Sequence, residues 1–430
     1  MKALILCAGL GENLAPITST MPKPMIVLQG KPILQRIIEK LRNCGIKDIV
    51  IVVGYRKEQI INYFRNGFDF GVNINYVIQE TPSGVEDAIL QAKNLLEQEE
   101  FFILVHGDIV AEKDIISRTL NTHNYFDYCM TIALTLAKKP EHYGSVLIDE
   151  EGRVKKIVEK PLAGREPGNY VAAGIYILRS EIFKMLEKTP VLDQVIQNLI
   201  DQGVEFYGAI WEKSWVDVGC PWHILKANKI IMEKKEEARI SKRAQVESGV
   251  KIEGPALISA GAHIRSGACI IGPCYIGPNA YIGNNSLIRE YTDIGRNVIV
   301  GFGVELKNCI LMENTKLGRL CFIGDSIVGR NTDIGAAVTT VNVSFNKDET
   351  IKMNINGREV DTALKKFGAV IGEGTAIGSN VSIHPGKKIG AYSKIMPGTI
   401  IDQDIGDRMI AKNIVKMGIF EENENHQNLL

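Results

Sequence analysis

Apolar residues in the first half of the chain follow two alternating patterns. Short β-branched runs lie at Ala3–Leu6, Ile49–Val53, Ile74–Ile78 and Phe102–Val105. Between them, residues 32–43, 57–65 and 85–96 carry apolar side chains at the spacing of amphipathic helices. Strands that alternate with helices predict βαβ units, in which helices cover a largely parallel sheet of the Rossmann type.

A six-residue period replaces this alternation from residue 250. The aliphatic positions of the first run are Ile252, Ile258, Ile264, Ile270, Ile276, Ile282, Ile288, Ile294, Val300 and Leu306, and those of the second are Ile371, Ile377, Ile383, Ile389, Ile395 and Ile401. Such a hexapeptide repeat places one inward side chain on each short face, and three faces close one coil of a left-handed parallel β-helix. Glycines follow several of these positions, at Gly272, Gly277, Gly283, Gly295, Gly378 and Gly390. We expect them to form corners with positive φ.

The change of period divides the chain into parts. We predict an α/β domain at 1–221, a charged helical connector at 222–245, a β-helix at 246–420 and a disordered tail at 421–430. The six-residue register is imperfect at Ile323, Val328 and Ile334, and it is absent from about 339–368. The latter segment is predicted to be a loop that protrudes from the β-helix.

Charge and composition exclude several classes of partner. The 50 basic and 50 acidic side chains balance, so no basic field would attract nucleic acid or anionic lipid. No apolar stretch approaches the roughly 18–20 residues of a membrane span, and we expect a soluble, cytoplasmic protein. The eight cysteines are scattered and contain no CxxC pair, which disfavours disulfide or zinc chemistry. Small molecules and further copies of the chain are the expected partners.

A glycine-rich loop follows the first strand. Gly9 and Gly11 lack Cβ atoms, so backbone N–H groups could approach a phosphate at the carboxyl edge of the sheet. Taken alone, this pattern is more typical of a tight turn. Lys23 strengthens the phosphate interpretation, because Pro22 and Pro24 hold this cation on a stiff segment.

These residues resemble the sugar-1-phosphate nucleotidylyltransferases. The opening motif of that family has the form L-A-A-G-x-G-T-R-L-x-P-L-T followed by P-K-P, and residues 6–24 match it in most positions. Further segments that match are Gly107-Asp108, Tyr143-Gly144, Val158-Glu159-Lys160-Pro161 and Trp215-Val216-Asp217-Val218-Gly219. With the β-helix appended, the chain is similar in layout to bifunctional archaeal and bacterial sugar-phosphate nucleotidylyl/acetyltransferases.

The resemblance implies a role for each matching residue. Asp108 and Asp217 would hold Mg²⁺, and Lys23 and Lys160 would neutralise phosphate charge. The implied nucleotide-binding residues are Ala8, Gly9, Leu10, Gly11, Gln79 and Gly84, and the implied sugar-binding residues are Gly144, Glu159 and Lys160. The family's habit also implies a homo-oligomer, a trimer or a multiple of one.

Five positions depart from the family pattern. Glu12 and Asn13 replace Thr-Arg in the phosphate loop, and Ala172 stands where an asparagine is common at the sugar site. In the β-helix, Arg319 and Phe322 replace the histidine and tyrosine of an acetyltransferase segment. A guanidinium cannot accept a proton at neutral pH, so the general base is missing.

Three functions remain open on the sequence. The first is an enzyme that converts an NTP and a sugar 1-phosphate into an NDP-sugar and pyrophosphate, at a rate reduced by the lost arginine. The second is a non-catalytic paralogue that binds a nucleotide sugar and regulates a partner. The third, disfavoured by the missing base, is a sugar-phosphate N-acetyltransferase. The sequence does not determine the base or the sugar.

Overall fold

The computed structural model of this chain describes residues 1–413 except 113, 138, 234–236 and 347. The strands of the first half are β1 (Lys2–Cys7), β2 (Val27–Leu28), β3 (Lys31–Pro32), β4 (Asp48–Val53), β5 (Asn73–Ile78), β6 (Phe101–His106), β7 (Ile109–Ala111), β8 (Met130–Leu136), β9 (Gly144–Ile148), β10 (Val154–Glu159), β11 (Tyr170–Arg179), β12 (Phe206–Trp211) and β13 (Trp215–Asp217). The helices are α1 (Ile33–Asn43), α2 (Lys57–Phe64), α3 (Val85–Gln91), α4 (Lys93–Leu96), α5 (Ile115–Tyr125), α6 (Ile182–Leu186), α7 (Leu192–Asp201) and α8 (Pro221–Met232). Single 3₁₀ turns lie at Glu12–Leu14, Lys23–Met25, Phe68–Phe70 and Pro140–His142.

A nine-stranded sheet forms the centre of the first half. Its main path runs β10-β9-β11-β6-β1-β4-β5, with β8 joined to β11 and β12. The strands β6, β1, β4 and β5 are parallel, whereas β11 runs antiparallel to β6. The predicted strands and helices of this half are confirmed. Since Leu6 on β1 pairs with His106 on β6, the loops after these two strands lie at the same edge of the sheet.

Three parallel sheets form the faces of the β-helix. The first face contains Arg239–Ile240, Ala256–Ile258, Cys274–Ile276, Asp293–Ile294, Ile310–Leu311, Ile327–Val328, Val370–Ile371 and Lys388–Ile389. The second contains Gln245–Val246, His263–Ile264, Tyr281–Ile282, Ile299–Val300, Lys316–Leu317, Asp333–Ile334, Ala376–Ile377, Lys394–Ile395 and Ile410–Ala411. The third contains Lys251–Glu253, Cys269–Ile271, Leu287–Ile288, Glu305–Lys307, Phe322–Gly324, Thr339–Thr340, Ser382–Ile383 and Ile400–Ile401.

The predicted aliphatic positions line the interior of this prism. All of them from Ile258 to Leu306, and from Ile371 to Ile401, are buried in one cluster. The imperfect middle register has a simple cause, because some coils are one residue shorter. The preceding coil, from Asn279 to Asn297, is offset by 18 residues, whereas Asn297, Asn314 and Asn331 are offset by 17.

The six glycines that follow aliphatic positions have a different role from the predicted one. None of the six, all described, is among the residues with positive φ. They are instead crowded by the backbone of an adjacent coil: a Cβ at Gly277 would lie 2.7 Å from the carbonyl carbon of Gly295. The left-handed corners are occupied by other residues, including Asn279, Asn297 and Asn314. Asparagine tolerates positive φ better than most side chains.

The protruding segment contains a β-hairpin. Lys352–Ile355 pairs antiparallel with Arg358–Asp361. Thr339–Thr340, at the predicted start of the loop, still forms part of the prism. Ile351, Met353 and Ile355 are buried in the same apolar cluster as the core of the first half. The hairpin therefore packs back onto the molecule.

Helix α8 occupies only the beginning of the predicted connector. It ends at Met232, and Arg239–Ile240 already forms the first strand of the prism, so residues 239–245 are not helical. The predicted tail at 421–430 lies outside the described residues. No helix in the described part of the chain has the length and apolar character to cross a membrane.

Specific polar contacts join the two halves. The backbone N–H of Gln29 donates to Asp293 Oδ2 at 2.6 Å, and Asn228 Nδ2 donates to the carbonyl of Tyr291 at 3.0 Å. Ile310 and Met312, on the outer side of the first prism face, belong to the apolar cluster of the α/β half. The β-helix thus covers one side of the first half along a packed interface.

Candidate active site

The phosphate loop leaves the carboxyl end of β1 in a tight turn. Gly11 has φ 68°, and its carbonyl accepts hydrogen bonds from the N–H of Leu14 at 2.9 Å and from Thr18 Oγ1 at 2.8 Å. A Cβ at Gly11 would also lie 3.1 Å from Thr18. At Gly9 a Cβ would meet no atom within 4 Å, so this backbone borders open space. The glycines have separate roles, since Gly11 forms the turn and Gly9 leaves room for a ligand.

Lys23, Asp108 and Asp217 converge beside this loop. Lys23 Nζ forms an ion pair with Asp108 and lies 3.6 Å from Asp217 Oδ1. Asp108 follows β6, and Asp217 ends β13, which pairs with β7 through Asp217 and Ile109. The N–H of Val218 donates to the carbonyl of Asp108 at 3.2 Å and holds the two segments together.

Charge and burial shift the pKa of each group. Burial alone would raise the pKa of Asp108, but the Lys23 ammonium outweighs it and keeps this carboxyl ionised. Burial and the neighbouring charge of Asp108 raise the pKa of Asp217 to about 6. Burial would lower the pKa of Lys23, but the two carboxylates raise it overall. Lys23 is therefore a permanent cation between two carboxyl groups whose pKa values differ, with Asp108 the stronger acid.

The two carboxylates retain capacity for a cation. Asp108 Oδ1 and Asp217 Oδ1 are buried and accept no hydrogen bond from any described residue. Within the described part of the chain, no group of three or more His, Cys, Asp or Glu side chains is arranged to hold a metal. A hard divalent cation here would therefore have two protein carboxylates and would take its other oxygen ligands from phosphate and water, as Mg²⁺ commonly does.

The predicted sugar residues form a second group. Gly144 on β9 lies opposite Glu159 on β10. A Cβ at position 144 would lie 2.9 Å from Asp193 Oδ2 and 3.2 Å from Glu159 Oε2. It would also be 3.8 Å from the Cβ of Ala172, which places that departure in the same patch. A side chain at position 144 would require the carboxylates of Asp193 and Glu159 to move.

Asp193 belongs to this group although no motif indicated it. Burial, followed by the charge of Glu159 and a hydrogen bond with it, raises the pKa of Asp193 to about 7. Glu86 contributes in the same direction, and its Oε1 accepts a hydrogen bond from the N–H of Leu192 at 3.0 Å. An acidic residue in the first turn of a helix is ordinary, so the sequence carried no signal of this role.

Lys160 lies on the sugar side and is separate from Lys23. It is 68% exposed, has φ 43° and lies 3.3 Å from Glu159 Oε1. The two lysines predicted to act on phosphate thus stand in different parts of the site.

Gln79 stabilises its own loop. Its Nε2 donates to the carbonyl of Gly84 at 3.0 Å and to Asp87 Oδ2 at 2.7 Å. Both amide hydrogens are used, which leaves Oε1 as the atom able to contact a base.

The other predicted nucleotide-binding residues, Ala8 and Leu10, lie in the loop after β1. The Ala8 carbonyl accepts a hydrogen bond from the N–H of Tyr55 at 3.1 Å, while Leu10 is 38% exposed.

Asp325 is a buried aspartate close in sequence to the departures Arg319 and Phe322. Asn308 Nδ2 and Asn342 Nδ2 each donate to Asp325 at 2.6 Å. A Cβ at Gly324 would lie 2.6 Å from the ring of Phe322, which packs against the same strand. Arg319 is exposed. His263, a histidine of the second face of the β-helix, hydrogen-bonds Glu247 at 3.0 Å.

Comparison with known proteins agrees with this arrangement. Residues 2–234 match the nucleotidyl transferase family, and residues 270–364 match the GMPPB C-terminal domain. The bifunctional protein GlmU of Methanocaldococcus jannaschii is 38% identical over 416 residues, which span 94% of this chain and 96% of that protein. A bifunctional sugar-1-phosphate nucleotidylyltransferase/acetyltransferase of Sulfurisphaera tokodaii is 35% identical over 94% of this chain and 98% of its own length.

The low-salt glycan biosynthesis nucleotidyltransferase Agl11 of Haloferax volcanii is 33% identical over 78% of this chain and 94% of that protein. These similarities cover both halves, and the first half carries the loop, lysine and carboxylates described above. The chain belongs to the nucleotidyl transferase family, and its full-length relatives are GlmU-type bifunctional sugar-1-phosphate nucleotidylyltransferase/acetyltransferases.

Proposed function

We propose that this protein is a Mg²⁺-dependent sugar-1-phosphate nucleotidylyltransferase. A phosphate oxygen of the sugar 1-phosphate attacks the α-phosphorus of an NTP, a new P–O bond forms, and the bond to the β-phosphate breaks. The products are an NDP-sugar and pyrophosphate. We place the reaction in the cytoplasm, where nucleoside triphosphates are available.

One observation carries the proposal. Lys23, Asp108 and Asp217 meet beside a glycine turn at the carboxyl edge of the sheet, where open α/β folds bind ligands. The buried oxygens of the two carboxylates lack hydrogen-bond partners among the described residues, so they suit a divalent cation.

Each group has a distinct task in this reaction. A bound Mg²⁺, held by Asp108 and Asp217, would offset phosphate charge and align the reacting oxygens. Lys23, already ionised, would turn from the carboxylates towards the phosphate once they bind metal. Gly144, Glu159 and Asp193 would orient the sugar hydroxyls. Positioning and charge neutralisation are the main contributions a protein makes to phosphoryl transfer.

Pyrophosphate release tests the proposal. Purified full-length protein is incubated with Mg²⁺, each of the common NTPs and a panel of sugar 1-phosphates. We expect one pair to release pyrophosphate and form the matching NDP-sugar. Removal of Mg²⁺ by EDTA should stop the reaction. Absence of release from every pair, with a related active enzyme as positive control, would overturn it.

Glu12 and Asn13 support a second candidate. Both are exposed in the phosphate loop and neither carries positive charge, which suits a protein that binds a nucleotide sugar and regulates a partner without turnover. Calorimetry distinguishes the two functions, because the regulator would bind an NDP-sugar yet release no pyrophosphate.

For the second half, Arg319 and Phe322 lead us to expect no acetyl transfer from acetyl-CoA to an amino-sugar 1-phosphate.

A further inference from the structure

The inserted hairpin connects the second half of the chain to the phosphate loop. Asn356 Nδ2, at the hairpin turn, donates to Asn13 Oδ1 at 2.8 Å. Asn13 is the position at which the family motif has arginine. No lysine or arginine occurs in the loop at residues 8–14, and Lys23 is engaged by two aspartates. The hairpin turn therefore contacts Asn13, the phosphate-loop residue that stands in place of the family's arginine.

The hairpin turn has a defined geometry. Ile355 pairs with Arg358, which leaves Asn356 and Gly357 as a two-residue turn with φ values of 51° and 81°. An Asn-Gly pair with both φ positive is typical of a type I′ hairpin. The N–H of Gly357 also donates to Asn354 Oδ1 at 2.8 Å. Arg358, the next residue, is held at a fixed place relative to the phosphate loop.

Strand register shows which face of the hairpin carries Arg358. Residues directly opposite each other in antiparallel strands share a face. Met353 and Ile355 are 1% and 7% exposed, so their face packs against the body of the protein. Arg358 is opposite Ile355 and therefore lies on that face, at the end next to Asn13.

The other charges of the hairpin are already paired. Glu359 lies on the outer face and pairs with Lys352 at 3.1 Å. Hydrogen bonds from Thr350 and Ala363, with a smaller contribution from the charge of Lys139, lower the pKa of Asp361. Arg358 is exposed and forms no ion pair with any residue that the structure describes. Its guanidinium is available to an anion.

We propose that Arg358 is a phosphate-binding residue of the nucleotidylyl site, which supplies the cation that Asn13 cannot. This inference rests on the proposed function. The ligand is the triphosphate of the NTP, or the pyrophosphate that leaves. A guanidinium binds two phosphate oxygens through parallel hydrogen bonds, and its planar fork suits this geometry better than an ammonium. The β-helix then contributes directly to the active site of the first half.

The test uses four variants of the full-length chain. They are Arg358→Gln, Asn13→Arg, the double variant, and Lys352→Gln as a matched control. The control removes one positive charge from the same hairpin, on its outer face, where an exposed ion pair contributes little to stability. Circular dichroism and thermal melting verify that each variant is folded.

Binding and turnover are measured separately. Calorimetry with Mg²⁺ gives the dissociation constants of the NTP, of pyrophosphate and of the nucleoside monophosphate. We expect Arg358→Gln to weaken NTP and pyrophosphate binding at least about tenfold, with monophosphate binding unchanged. Turnover should fall about 10²- to 10³-fold, the usual cost of removing one charge-stabilising group. In the double variant, Asn13→Arg should restore most of the binding and turnover that Arg358→Gln loses. The control Lys352→Gln should match wild type in both.

The outcomes separate the inference from the proposed function. If wild type releases pyrophosphate but Arg358→Gln binds NTP as tightly as Lys352→Gln does, the assignment of Arg358 is wrong and the enzyme proposal stands. If NTP binding depends on Arg358 but no pair releases pyrophosphate, the assignment stands and the enzyme proposal fails. An equal loss for monophosphate and triphosphate, or no NTP binding by wild type, would overturn the assignment.

Discussion

Asp108 and Asp217 are chemically unequal despite their similar positions. Lys23 is ion-paired with Asp108, whereas burial and the charge of Asp108 raise the pKa of Asp217 to about 6. Replacing either by asparagine removes one of the two anionic oxygens available to a metal. We expect Asp108→Asn and Asp217→Asn each to reduce Mg²⁺-dependent NTP binding and turnover by at least about 10²-fold.

Titration calorimetry with Mg²⁺ and NTP, together with pyrophosphate release, measures this effect. Asp69→Asn serves as the control, because Asp69 is exposed on the short turn before β5. Wild-type affinity for Mg²⁺ and NTP in both site variants would reject the metal site.

Asp193 gives the protein a pH-dependent stability. Its pKa is about 7 in the folded chain, because of burial and the adjacent Glu159, against about 3.9 for an unfolded aspartate. Between these values the folded state holds a proton that the unfolded state releases. Stability from this site is therefore full below about pH 4 and is lost as the pH rises from there through 7.

Asp193→Asn keeps a hydrogen-bonding side chain and removes the charge. We expect the free energy of unfolding of this variant, relative to wild type, to be higher at pH 8 than at pH 5. The difference should be at least about 1 kcal/mol, a conservative bound because a shift of one pKa unit alone corresponds to more. Denaturant unfolding without ligands measures it. Asp201→Asn, at the exposed end of the same helix, should show no such change. An equal stability difference at both pH values would contradict the coupling between Asp193 and Glu159.

The family resemblance implied that Lys23, Asp108 and Asp217 share one site, because each lies in a recognisable motif. The structure brings the three together, although Asp217 ends a strand of a separate two-stranded sheet. Asp193 and Glu86 were missed because no motif links them. The starts of their helices, more than 100 residues apart, are joined by the hydrogen bond from the N–H of Leu192 to Glu86. Gln79 was assigned to the base from the family resemblance, and the sequence could not show that Gly84 and Asp87 use its two amide hydrogens.

An asparagine ladder stabilises one corner of the β-helix. Asn297 Nδ2 donates to Asn314 Oδ1 and Asn314 Nδ2 to Asn331 Oδ1, each at 3.0 Å, and Asn279 continues the row below. Asn314 has φ 60°, where a Cβ is strained. The corner thus combines a tolerated backbone conformation with side-chain hydrogen bonds between coils.

Two substitutions at Asn314 separate these contributions. Both Asn314→Ala and Asn314→Gly lose the side-chain bonds, but only alanine is strained at this φ. We expect the alanine variant to be less stable than the glycine variant by about 1–2 kcal/mol. Chemical denaturation followed by circular dichroism measures the difference. If the two variants unfold at the same denaturant concentration, the corner is not strained.

The hexapeptide pattern predicted the inward side chains but misassigned the glycines. A period in sequence identifies which side chain points inwards, because that is a property of each coil alone. Crowding of Gly277 by Gly295 involves the next coil, 18 residues later, and it becomes apparent only when the coils are stacked. The docking of the hairpin was missed for a related reason, since its apolar alternation at Met353 and Ile355 is short and gives no indication of what it covers.

At the scale of the whole molecule, the prism carries large apolar side chains on its outside. Phe302 and Leu320 are 50% and 58% exposed, and they occupy successive coils, where the N–H of Leu320 donates to the carbonyl of Phe302 at 2.9 Å. Contiguous exposed apolar patches larger than a few hundred Å² mark interaction surfaces, and these two side chains are adjacent. Soluble oligomers are mostly symmetric assemblies of identical chains. With the family resemblance, this favours a trimer built around the β-helix.

We predict that size-exclusion chromatography with light scattering gives a mass three times that of the 47.5 kDa chain. Phe302→Glu combined with Leu320→Glu should shift the mass towards the monomer, because burial of two carboxylates in an apolar contact is strongly unfavourable. Phe68→Glu is the matched control, since Phe68 is 82% exposed and belongs to the first half of the chain. A monomeric wild type at micromolar concentration would reject the trimer, and a double variant that keeps the wild-type mass would place the interface on another face.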